Sequence, residues 1–446
     1  MKLIETIKNI WKIEELKNRV IMTFSLLLVY RFGAQVVLPG IDSTQLGGFS
    51  SNFEGGGIGS ILNAFTGGAF ANASVFALGI MPYISASIVV QLMGIAIPYL
   101  QKLQKEGESG RRKINQITRW LTIGICLIQA PSYLLSLETL GVPRSAYMMQ
   151  DNMTLFVVIS TIILVTGCVF AMWLGEKITD KGIGNGISLL IMVGIIATLP
   201  QAFLQELNTQ WTDGGGAFVV LIEVVIWLVI ILACVMLVMA TRRIPVQYAR
   251  RTATGGYEKN AFGARQYIPL KLNASGVMPI IFAQAIMFVP AALGSLEQGW
   301  AKEVAALFAD IFGFWYNLVF ALLIIVFTYF YTAITVPTNK MADDLKRNGG
   351  FIPGIRPGTE TSEYLDRIMS QITLPGSIFL ALVAIFPAVV SLMGVTQAWA
   401  LFYGGTSLLI MVGVAIDTMQ QINSYLLNRH YDGLIKSGKN RKQQVA

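Results

Sequence analysis

The 446-residue chain is poor in the residues that usually carry chemistry. It has three cysteines and one histidine, and Asp, Glu, Lys and Arg together make up only 13% of it, about half the roughly 25% of a soluble domain. Cys126, Cys168 and Cys234 fall one each in separate apolar runs, with no CxxC and no cluster, so neither a metal site nor a disulfide framework is implied. His430 lies in the C-terminal tail, where a solvated role fits better than catalysis. There is no GxxxxGK[ST], no HExxH and no GxSxG, which excludes P-loop nucleotide hydrolysis and leaves no nucleophile or metal constellation for an enzyme. No cofactor is implied. Ionisable residues inside the apolar runs are Arg31, Glu223 and Asp417, with Glu176 at an end. Charges in such places are functional candidates by default, but these are scattered and give poor support to an ion-coupled transporter.

What the chain has instead is apolar length, 54% hydrophobic residues, the composition of a polytopic membrane protein. Ten candidate spans lie near residues 20–38, 74–98, 115–136, 153–174, 186–204, 217–240, 274–293, 315–336, 371–393 and 402–426. Of the 33 Lys and Arg, all but Arg31, Arg144 and Lys302 fall in segments that an alternating ten-span topology places on one side. The positive-inside rule makes that side cytoplasmic, with both termini on it. The first 19 residues are too polar for the apolar core of a removable signal. Leu3, Ile4, Ile7, Ile10 and Trp11 recur at helical spacing between lysines, which predicts an amphipathic helix on the membrane surface. The expected organisation is therefore this 1–19 helix, an N-terminal half 20–210, a C-terminal half 211–426 and a cytoplasmic tail 427–446.

Three local patterns stand out. The segment 58–70, IGSILNAFTGGAF, is too short to cross a bilayer and as a half-helix must be buried in protein or line a cavity. Gly and then Pro three residues on, GIMP at 79–82 and GVMP at 276–279, interrupt the second and seventh spans, corresponding places in the two halves. Such pairing points to an inverted repeat. Ile80 and Ile84, and Ile187 and Ile191, are each four apart and so share a helix face. Lipid contact explains most such pairs, whereas a converging set would form a constriction that wets poorly. The two long basic segments, 241–272 and 337–370, read as cytoplasmic loops with turn punctuation. Their charge fits anionic lipid, RNA or an acidic protein face without choosing among them.

FALGIMPYISASIVVQLM followed by KEGESGRRKINQ, then WLGEKITDKGIGNGIS, RRIPVQYARR, KLNASGVMPIIFAQ, ADDLKRNGGFIPGIRPG and YGGTSLLIMVGVAID, closely resemble the SecY proteins, the large subunit of the bacterial protein-conducting channel. The resemblance runs from about residue 20 to residue 427. It implies an all-α membrane protein with ten transmembrane helices in two pseudo-symmetric five-helix halves around an hourglass pore. The implied function is a passive channel for unfolded preproteins, with a lateral gate between spans 2/3 and 7/8. Residues 58–70 would be a plug, with Ile58, Ile61, Leu62, Phe65 and Phe70 as its apolar face. Ile80, Ile84, Ile187, Ile191, Ile281 and Ile410 would form the pore ring. Ser87, Gln91 and Asn273 would line the lateral gate. Arg242, Arg243, Arg250, Arg251, Lys259, Lys346, Arg347 and Arg356 would form the docking surface for the ribosome and the SecA motor ATPase. The tip TATGGYEKNAFGA departs from relatives that carry an arginine pair there and leaves Lys259 as its one cation. Further implied partners are SecE and SecG, signal peptides and membrane lipids, in the inner membrane of a bacterium.

Overall fold

The computed structural model describes residues 13–42, 58–139, 152–212, 216–248, 266–293 and 310–443, together with 11, 146–147, 303 and 306–308. The proposed surface helix 1–19 lies largely outside them, as do Arg250, Arg251 and Lys259. The helices are α1 Glu14–Gly33, α2 Ile58–Thr66, α3 Met81–Ala96, α4 Pro98–Lys105, α5 Glu108–Thr139, α6 Met153–Lys181, α7 Gly186–Thr212 and α8 Gly216–Met239. After strands β1 Thr241–Tyr248 and β2 Gln266–Lys271 come α9 Met278–Leu293, α10 Phe314–Thr335, α11 Thr338–Arg347, strand β3 Gly350–Phe351, α12 Thr359–Leu392, α13 Gln397–Ala400 and α14 Gly405–Gln443. A helix overlaps each of the ten expected spans. By length and apolar composition, six of the described helical stretches are able to cross a membrane, or seven if α3 and α4 count as one broken span.

The chain packs as two compact units. One comprises Met1–Ala217, Val395–Trp399 and Ile410–Ala446, the other Phe218–Gly394 and Ala400–Leu409. Most of α14 thus packs with the first unit although it follows the second in sequence. The first unit closes through polar contacts to short loops. Thr23 Oγ1 accepts from the Ile183 N–H at 3.1 Å, and Gln421 Oε1 from the Gly184 N–H at 2.9 Å. Glu206, wholly buried, accepts from the Thr396 N–H at 2.9 Å and from Gln210 Nε2 at 2.8 Å. These satisfy loop amides that would otherwise be buried without partners.

The Gly-Pro pairs start helices instead of interrupting them. Gly79 has φ +53° and Gly276 φ +64°, left-handed conformations that favour glycine. Pro82 then sits in the first turn of α3 and Pro279 in the first turn of α9, where its missing N–H leaves no intrahelical bond unmade.

The segments read as loops are partly ordered into a small platform in the second unit. β1 pairs antiparallel with β2, Ile244 opposite Ile268, and its last two residues pair with β3. Pro245 is tolerated in the middle strand because β3 reaches only Gln247 and Tyr248, leaving that flank of β1 an edge. Ile244, Val246 and Leu270 pack with Leu345, Ile352, Leu365, Ile368, Met369 and Ile372 into a separate apolar core.

Candidate functional site

Helix α2 and the turn after it are built from weak helix formers fixed by side-chain bonds. Thr66 Oγ1 donates to the Leu62 carbonyl at 2.9 Å and accepts from the Phe70 N–H at 3.1 Å. Asn63 Oδ1 accepts from the Ala71 N–H at 3.0 Å, and the Tyr133 hydroxyl donates to the Phe70 carbonyl at 2.8 Å. The Phe70 and Tyr133 rings lie 4.8 Å apart. Of the expected plug face, Ile61, Phe65 and Phe70 are buried, and Leu62 packs against the cluster that contains Leu38, Phe70, Tyr133 and Leu137. The Ile58 side chain lies outside the described residues. Burial of Ile61 and Phe65 contributes about 1.5–3 kcal/mol each.

The seat of α2 is backbone against backbone. A Cβ placed on Gly194 of α7 would lie 2.5 Å from the Phe65 carbonyl oxygen, and one on Gly67 would lie 2.8 Å from the Gly194 Cα. Glycine at both positions allows this approach. Gly194 follows Ile191 by three residues, so the seat lies about one turn from that isoleucine on a neighbouring helix face. Arg31 of α1 donates through Nη1 to the Gly67 carbonyl.

Of the expected ring residues, Ile80, Ile191 and Ile410 are buried, whereas Ile84, Ile187 and Ile281 are half-buried. Ile80 is the N-cap of α3 and its carbonyl accepts from the Ile84 N–H at 3.0 Å. Ile187 leans on Gly175 of α6, where an added Cβ would meet its Cγ1 at 3.0 Å. Ile80, Ile84, Ile187, Ile191 and Ile410 belong to the first unit and Ile281 to the second. Of the expected gate residues, Ser87 and Gln91 share a face of α3, with Gln91 Nε2 donating to Ser87 Oγ at 3.2 Å. Asn273, buried ahead of α9, accepts from Ser275 Oγ at 3.1 Å.

The described docking cations all stand on the platform or beside it. Arg242 and Arg243 are exposed on β1, and Lys346 and Arg347 are exposed in the last turn of α11, where the helix dipole favours cations. Arg356 is 88% exposed, with its guanidinium 3.9 Å from Glu360. That distance and exposure leave it available to a partner, since such surface pairs add little stability.

Sequence reasoning missed the roles of Gly194, Tyr133 and Glu206, and it left Arg31 without a partner. It also read β1 as loop, although Ile244, Val246 and Tyr248 alternate with polar or exposed residues at the period of a strand.

Comparison with known proteins agrees with this architecture. The SecY family model matches residues 74–419. Among curated relatives, the protein translocase subunit SecY of Thermotoga maritima is 40% identical over 444 residues, covering 98% of each chain. The protein of the same name from Aquifex aeolicus is 37% identical over 437 residues, covering 97% of this chain and 99% of its own. Among solved structures, one described as a protein conducting channel superposes with TM-score 0.60 at 18% identity, covering 92% of both chains. A SecY structure concerned with the plug domain and the closed state superposes with TM-score 0.59 at 17% identity over the same shares. The full-length similarity to these bacterial translocase subunits and the shared fold establish that the chain belongs to the SecY family, multi-pass channel subunits of the bacterial protein translocase and not enzymes.

Proposed function

We propose that the chain is the channel-forming subunit through which unfolded preproteins cross the inner membrane, with α2 as the plug of its resting state. The observation that carries the plug reading is the seating of α2 on Gly194 of α7, one turn from Ile191. A short amphipathic helix with two glycines behind it, Gly67 and Gly68, has a hinge about which it can leave its seat, as a removable seal requires. Ile80, Ile84, Ile187, Ile191, Ile281 and Ile410 are the proposed constriction: branched apolar side chains give a passing chain no binding site and give ions a poorly wetted ring. Ser87, Gln91 and Asn273 are the proposed lateral-gate residues through which apolar segments leave for lipid.

Both termini and the platform face the cytoplasm in this reading, because nearly all of the cations do. Arg242, Arg243, Arg250, Arg251, Lys259, Lys346, Arg347 and Arg356 then meet the ribosome or a SecA-type motor, and the small subunits SecE and SecG complete the complex. A related structure described as Sec61 in a canine ribosome-channel complex, TM-score 0.56, is in keeping with a ribosome-facing platform. The test is a cysteine pair between α2 and α7, oxidised in the assembled translocase. Protein passage should stop and return on reduction. Passage that continues with the bond formed would remove α2 from the path.

A further inference from the structure

We propose that Arg31 is the latch that positions the plug, an inference that rests on the reading of α2 just given. Arg31 lies near the end of α1, within the first apolar span, and is half-buried. A guanidinium at that depth needs polar partners. Among the described residues it forms no ion pair, and its hydrogen bond runs from Nη1 to the carbonyl of Gly67. Gly67 immediately follows the last residue of α2, in a left-handed conformation with φ +67°.

That carbonyl is where a latch acts best. The last carbonyls of a helix and of its closing turn carry the negative end of the helix dipole, and a permanently charged donor completes them. The fit is close on both sides, since a Cβ on Gly67 would lie 2.8 Å from Arg31 Nη1 and equally near the Gly194 Cα. Gly67 is thus gripped between a charged side chain of α1 and the backbone of α7.

The latch also balances holding against release. Besides the contacts of Tyr133 with Phe70 and the backbone seat on Gly194, the charged hydrogen bond is the strong directional contact described between α1 and the plug. When the plug leaves, Arg31 is the charged group left without its protein partner. Its alternatives are water entering the vacated space or the backbone of the passing chain, and both require an occupied or hydrated channel. Arg31 therefore resists opening of an empty channel and resists a filled one less.

The experiment compares resting ion conductance of the reconstituted translocase in planar bilayers for the parent, Arg31→Ala, Arg31→Lys, a plug deletion lacking residues 58–70, and the deletion combined with Arg31→Ala. Loss of a charged hydrogen bond predicts a roughly ten- to hundredfold rise in resting open probability for Arg31→Ala. Arg31→Lys, with one remaining ammonium, should fall between that variant and the parent. In the plug-deleted background Arg31→Ala should add nothing. Parental conductance for Arg31→Ala, alongside a leaky plug deletion, would overturn the latch and leave the plug standing. A plug deletion that is itself silent would overturn the plug reading and the latch with it. If Arg31→Ala fails to assemble, Arg31→Lys and the combined variant decide: an assembly defect that persists without the plug means a structural arginine and refutes the proposal.

Discussion

Gly194→Ala should make α7 a better helix and the channel a worse seal. Alanine in a helix interior is favoured over glycine by roughly 0.8–1.0 kcal/mol, so the isolated effect on α7 is stabilising. The new methyl, however, would lie 2.5 Å from the Phe65 carbonyl oxygen and 3.2 Å from the Gly67 N–H nitrogen, where ordinary contact begins at 3.4 Å. Both neighbours are backbone, so no side chain can swing aside. The end of α2 must therefore back away by about 0.9 Å, the difference between those two distances. A movement of that size strains the bond from Arg31 to Gly67 and loosens the packing of Phe65. A hydrogen bond to a charged group is worth about 1.5–3 kcal/mol. The helix gain is the same with the plug seated or unseated and cancels, so up to about 1.5–3 kcal/mol acts against the seated plug, a roughly ten- to hundredfold shift in its population.

The assay is ion conductance of the resting, reconstituted translocase, paired with its thermal unfolding midpoint. Conductance should rise while the midpoint stays level or increases, a combination that general damage does not produce. Parental conductance with an intact midpoint would refute the close seating of α2 on α7.

Two further outcomes test other parts of the site. Replacing Ile84 and Ile191 together by serine should raise resting conductance further in a plug-deleted translocase, and an unchanged value there would remove both from the constriction. On the platform, Arg356→Glu should weaken motor-driven translocation with stability within about 0.5 kcal/mol of the parent, as for most exposed sites. Ile244→Ala, in the platform core, should instead lose about 2–5 kcal/mol locally, seen as faster hydrogen exchange in β1 and β2. If both variants lost translocation with identical exchange patterns, Arg356 would be structural and not a contact.

Much of this architecture was legible because the relevant signals are additive along the chain. Apolar length marked the helices, and the distribution of Lys and Arg is the ground on which a side is proposed for each connection. The half-helix at 58–70 was legible from what it lacked, the length to span and the sequence to stand alone. What stayed hidden was whatever depends on a distant partner. Nothing near Gly194 in sequence says that a carbonyl from Phe65 will rest on it, and nothing near Glu206 announces the Thr396 amide 190 residues away. The platform was missed for a different reason: the charges and prolines of β1 resemble loop composition, and the alternation of Ile244, Val246 and Tyr248 is short. A tertiary core shared with α11 and α12, more than local propensity, makes it a strand.

The repeated GIMP and GVMP illustrate how a signal of four residues becomes a structural constraint. A chance match predicts nothing about conformation, yet Gly79 and Gly276 adopt left-handed φ values of +53° and +64°, and each is followed by a helix with proline in its first turn. A glycine in that region and a proline with fixed φ determine where the first turn begins. The residue five positions beyond each glycine is therefore carried to an equivalent place on its helix. Those residues are Ile84 and Ile281, two members of the proposed ring, and both are half-buried. The two halves thus deliver an isoleucine by the same local device, each within its own packing unit. Substituting either glycine by valine should disturb the helix start and displace the isoleucine together, because a β-branched residue is strongly disfavoured at positive φ. On this argument the glycines belong to the proposed constriction along with the isoleucines they position, although no glycine side chain exists to touch a passing chain.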